Sequence, residues 1–178
     1  MPLAILQINW LTRGGVAMDM SAFELFFIRY LHVLSGVMWI GLLWYFNFVQ
    51  IPSMPKIPDD QKPAVSKVIA PAALFWFRWA ALATVIFGLA LAQRNGYLVD
   101  ALLLKQPVIG IGMWLGLIMA FNVWFIIWPN QKIALGIVEA AAERKPKAGR
   151  MAMLASRFNT MLSIPMLFSM VSQQNSFY

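Results

Sequence analysis

Polar chemistry in this chain is sparse and sits where it is costly. Asn47, Gln50, Arg78, Asn122, Asn130, Gln131, Lys132, Arg157 and Asn159 lie within or at the ends of long apolar runs. Side-chain amides and cations gathered at one level would bind a planar polar or anionic molecule, with Trp76, Trp79, Trp124 and Trp128 as stacking surfaces. Arg78 is the sharpest candidate, because an ionisable group is expensive to keep inside an apolar run. The alternative is structural: helix ends in membranes are commonly polar, arginine snorkels, and tryptophan forms interfacial belts. In that case Arg78 caps the carbonyls of a neighbouring helix.

His32 is the single histidine. It could relay protons beside Glu24 and Arg29, or ligate a haem iron axially. A ring bonded to a backbone carbonyl is the plainer role. Met151, Met153, Met161, Met166 and Met170 read as flexible packing around Pro165 rather than as a soft-metal path. With no cysteine, disulfides, thiolate metal sites, iron–sulfur clusters and thioether-linked haem are excluded. No cofactor is assigned, and haem through His32 stays open.

The elements that must position these residues are long apolar helices. The chain of 178 residues is 61% hydrophobic and 12% charged, with a mean hydropathy of +0.68; a soluble domain is about 25% charged. Spans are expected at about 22–51, 71–93, 107–128 and 151–172, with loops at 52–70 and 129–150. Twenty residues at about 1.5 Å rise cross a hydrocarbon core of about 30 Å. The fold class is therefore all-α integral membrane: a single domain, 1–178, forming a four-transmembrane-helix bundle with short interfacial helices. On the first helix His32, Gly36, Trp39, Leu43, Asn47 and Gln50 share one side, which should face protein or a wet cavity.

Local breaks refine this picture. Residues 1–17 are too short in apolar run to span and read as an interfacial segment. Asp19 or Ser21 caps the first helix, with Glu24 completing a capping box if Ser21 is the cap. The prolines from Pro52 to Pro58 should end the first helix. A short polar helix follows over 59–68. Another continues over 133–144 until Pro146 and Gly149 break it, and Pro165 should kink the last span. Gly112 and Gly116 are spaced for close helix packing.

The formal charge is +7. The basic residues lie in loops between spans, so the partner is the bilayer and not nucleic acid. Lys56, Lys62, Lys67, Lys132, Arg144, Lys145, Lys147, Arg150 and Arg157 flank the first and third loops, against Arg13, Arg94 and Lys105 on the other side. Basic loops stay cytoplasmic, which places both termini in the periplasm of a bacterial inner membrane. All four spans then bring polar groups to one cytoplasmic level.

Three segments carry a family resemblance: His32-Val-Leu-Ser-Gly-Val-Met-Trp-Ile-Gly41, Asn122-Val-Trp through Trp128-Pro-Asn-Gln-Lys132, and Arg157-Phe-Asn-Thr through Ile-Pro-Met-Leu-Phe168. Over roughly 25–175 the chain resembles the membrane domain of cytochrome-fused bacterial urate hydroxylases (the urate oxidase N-terminal family). That resemblance implies oxidoreductase ancestry and a periplasmic C-terminus. It carries over to His32, Asn122, Asn130, Gln131, Lys132 and Asn159 as matching positions, without individual roles. The chain has no Cys-x-x-Cys-His for the family's cytochrome c, and is shorter than the family's membrane domain. The expected function is an accessory subunit of a larger membrane redox or bioenergetic complex. The alternative is an oxidoreductase of urate-hydroxylase type that passes electrons to a separate cytochrome c. A small-anion transporter ranks below both, because four helices without a repeat make alternating access hard to build.

Overall fold

The computed structural model describes residues 19–173 and 175; the expected interfacial segment at 1–17 lies outside them. Among the described residues the chain is helical. Long rods α1 (Met20–Lys56), α2 (Lys62–Arg94) and α4 (Pro107–Ala134) are long and apolar enough to cross a bilayer. A short α3 (Leu98–Leu102) joins α2 to α4. The last rod, α5 (Arg144–Ser172), is 29 residues long but too polar to qualify as a span on the same terms. By length and composition, three helices are therefore candidate spans among the described residues, where four were expected.

Asp19, not Ser21, caps α1. Its carboxylate accepts from the Ser21 amide at 3.0 Å, the Ser21 hydroxyl at 2.7 Å and the Ala22 amide at 3.3 Å. The hydroxyl bond first, then the two amides, holds its pKa below the usual carboxylate range. Glu24 pairs instead with Arg94, tying the start of α1 to the end of α2.

The prolines do not end the rods as expected. The loops shrink to 57–61 and 135–143 because each helix passes through its proline on a wider turn. π-helical segments Tyr45–Gln50, Val65–Ile69 and Asn122–Ile127 each stop two residues before one: Pro52, Pro71 and Pro129. In each case the residue before the proline donates to the carbonyl five positions back: Ile51 to Phe46, Ala70 to Val65, Trp128 to Val123. A proline in an α-helix collides with the carbonyl four back; widening the turn moves that carbonyl aside without breaking the rod. Pro146 lies in the first turn of α5, where no amide is required. The helix expected over 133–144 ends at Ala134, and Gly136 takes a positive φ of 72° just beyond it.

The rods pack as two antiparallel neighbours, α1 with α2 and α4 with α5, which meet through α2–α4 and α1–α5 contacts. Trp39, Leu43 and Phe46 from α1, Phe77 and Ala81 from α2, Met119, Val123 and Ile127 from α4, and Met166 from α5 form the main core. The composition of α5 is explained by its two faces. Ser156, Asn159, Ser163, Ser169 and Ser172 are buried, whereas Leu154, Phe158, Met161, Ile164, Phe168 and Val171 are exposed. These serines and Asn159 face inward and the grease faces out, with Arg157 on the exposed side.

Candidate functional site

The three π-helical segments and the start of α5 converge at the basic end of the bundle, around a cavity of about 290 Å³. Gln50, Ser66, Gln131 and Ser156 supply its polar lining; Phe46, Leu74, Phe77, Ile127 and Met153 supply apolar walls. Phe46 and Phe77 meet edge to face, with ring centroids 5.7 Å apart. Every long rod contributes. Gln50 Oε1 is buried with no protein hydrogen-bond partner among the described residues, as is Asn47 Oδ1. The Asn47 amide nitrogen is engaged: it donates to Leu43 O at 2.9 Å and to Ser156 Oγ at 2.7 Å.

The cavity can hold and orient a small polar molecule that donates hydrogen bonds to the Gln50 acceptor. Among the described residues, none that lines it is ionisable.

The remaining candidates separate into distinct places. Arg78 lies with its guanidinium carbon 3.9 Å from the centroid of the Trp128 ring and 5.4 Å from that of Phe75. Lys132 lies over the same Trp128 ring at 5.6 Å. Asn122 donates to Asn159 Oδ1 at 2.8 Å, and Asn159 donates to Met119 O at 2.9 Å. Asn130 donates to Ile126 O, one turn back on its own helix, at 2.8 Å. Arg157 is exposed. Of the nine candidates, Gln50 and Gln131 line the cavity and Asn47 adjoins it through Ser156. Arg78 and Lys132 share a ring on the α2–α4 side, and Asn122 and Asn159 join α4 to α5.

His32 is placed by the absence of a side chain at Gly88. Its Nδ1 lies 2.9 Å from Thr84 O; a carbonyl only accepts, so Nδ1 carries the proton and Nε2 is left as acceptor. A Cβ at position 88 would lie 2.8 Å from the ring. Glycine is thus what lets the imidazole lie against α2 and reach the carbonyl one turn back. This fixes the tautomer that a metal-ligating histidine also shows.

Sequence reasoning missed Ser66, Ser156, Phe46 and Phe77 as cavity residues. No local signal in the sequence marks them, because their convergence depends on the widened turns before Pro52, Pro71 and Pro129.

Residues 97–178 match the family model described as urate oxidase N-terminal. The match takes in α3, α4 and α5, with Asn122, Asn130, Gln131, Lys132, Arg157 and Asn159. It leaves out the segment from His32 to Gly41, together with Asn47, Gln50 and Arg78. No curated protein and no solved structure matches the chain.

Proposed function

We propose that this is a multi-pass inner-membrane protein, related to the membrane domain of urate hydroxylases, that serves as an accessory subunit of a larger redox assembly. The observation carrying this reading is the cavity's chemistry: it can hold a polar molecule, and the described residues that line it include no ionisable group to act on one. The chain's histidine is engaged with a backbone carbonyl elsewhere. In this reading α5 is the fourth span, because its exposed face is apolar and its serines turn inward. The basic end lies in the cytoplasm and both termini in the periplasm. His32 serves as a strap between α1 and α2 rather than as a haem ligand.

Purification in mild detergent from native membranes tests the role. A stoichiometric membrane-protein partner is expected, and the isolated chain should show no haem absorption that depends on His32. Recovery of the chain alone would sink the subunit reading.

A second reading is favoured by the cavity itself. Its volume, its aromatic walls and the Gln50 and Gln131 amides in its lining suit a planar purine such as urate, with electrons passing to a separate cytochrome c. It predicts urate-dependent reduction of added cytochrome c in native membranes, lowered at least about tenfold by Gln131→Ala, since an unpaired polar group in a binding site costs about 1–3 kcal/mol. Absence of that reduction in membranes containing the intact protein would end it.

A further inference from the structure

Trp128 carries two cations on one indole ring. Arg78 reaches it from α2, and Lys132 from one turn further along α4. Neither α2 nor α4 contains an aspartate or glutamate. The ion pairs among the described residues join Lys62 to Asp59, Arg94 to Glu24 and Lys105 to Asp100, and include neither cation. A ring quadrupole attracts each cation but neutralises neither. Two positive charges on one indole ring, with no carboxylate paired to either among the described residues, complement an anion. A guanidinium matches a phosphate in a planar two-point contact, and an ammonium adds a point charge.

The surroundings say what the anion is attached to. Arg78, Trp128 and Lys132 are half-buried, and the surface next to them is aromatic and exposed. On α4, Phe121 and Phe125 come just before Trp128 and Lys132 along the helix. Phe121 is 56% exposed and Phe125 67%, and their rings lie 4.8 Å apart. On α2, Trp79 is exposed and packs edge-on against Trp124 of α4, 5.4 Å between centroids. This contact floors the seam between the two helices. From the cation pair the seam runs away from the basic end, toward the middle of the spans. A soluble anion would use the cations and leave the seam bare; a phospholipid would use both.

We propose that Arg78, Trp128 and Lys132 form a headgroup site for an anionic phospholipid, with an acyl chain lying along Trp79, Phe125 and Phe121. It is separate from the cavity and does not depend on the subunit reading.

The test is native mass spectrometry of the detergent-solubilised full chain titrated with short-chain phosphatidylglycerol, phosphatidylcholine and glycerol phosphate. Phosphatidylglycerol should bind selectively. The Arg78→Gln/Lys132→Gln double variant should bind it about tenfold or more weakly, and Lys132→Gln alone about fivefold, given about 1 kcal/mol per basic residue at an anionic surface. Arg157→Gln, on the exposed face of α5, should bind as the parent does. Lys132→Gln keeps the test valid if the double variant does not fold. The proposal is overturned if Lys132→Gln and the double variant bind like the parent, or if phosphatidylcholine binds equally well. It also fails if glycerol phosphate competes as effectively as the lipid, which would make this a site for free anions.

Discussion

Replacing Asn159 with alanine is expected to destabilise the protein by about 2–4 kcal/mol, among the largest effects of any polar substitution in it. The side chain is fully buried and joins α5 to α4 by two bonds. It accepts from Asn122 and donates to the Met119 carbonyl. Met119 lies in the last α-helical turn before the π-helical segment begins at Asn122. Alanine would remove one bond from each partner and leave the Asn122 amide facing an apolar gap. In a membrane-embedded setting no bulk water replaces the lost partner. The measurement is a denaturant or thermal titration in a fixed detergent, comparing the parent with Asn159→Ala. Asn130→Ala serves as the contrast, since Asn130 bonds only within its own helix and should cost less. Equal loss in the two variants would show that the inter-helix bridge contributes nothing special.

That bridge also shows where reading a sequence stops. The apolar runs that became α1, α2 and α4 were legible because twenty greasy residues admit few other fates. The clustering of basic residues at one end was legible for the same reason: antiparallel rods joined by short loops must bring alternate loops together. Asn122 and Asn159 were recognisable as polar groups in costly places, but their pairing depends on how α4 is rotated against α5. A π-helical segment alters that rotation. Pro52, Pro71 and Pro129 looked like stops because, in an α-helix, the ring has nowhere to go. Nothing local to the sequence states that the preceding turn widens instead. Of the nine candidate residues expected at one level, Gln50 and Gln131 line the cavity. That level turned out to hold three arrangements: an amide-lined cavity, a ring with two cations, and a helix-to-helix bridge. α5 was legible as a helix, but averaging its composition hides that its serines and Asn159 occupy one buried face.

Gly112→Ala is expected to destabilise the α4–α5 packing by about 1–3 kcal/mol, the ordinary cost of forcing a methyl group into filled space. Gly116→Ala is expected to be neutral or stabilising, by up to about 1 kcal/mol, because alanine is the better helix former. Spacing alone makes the two glycines equivalent, four residues apart on one face. The structure distinguishes them. A Cβ at Gly112 would lie 2.7 Å from the Cβ of Ser169 and 3.6 Å from the Met166 carbonyl, whereas one at Gly116 meets nothing within 4 Å. Ser169 cannot swing away to make room, because its Cβ is fixed by the backbone of α5 and its hydroxyl is bonded to Pro165 O at 3.0 Å. The helices themselves must separate. Melting temperatures of the two variants in the same detergent decide the matter. If Gly116→Ala lowers stability as much as Gly112→Ala, the contact between α4 and α5 is centred one turn further along than Ser169 places it. If neither lowers stability, the two helices are not held at this distance at all, and the inward-facing serines of α5 have no neighbour to justify their burial.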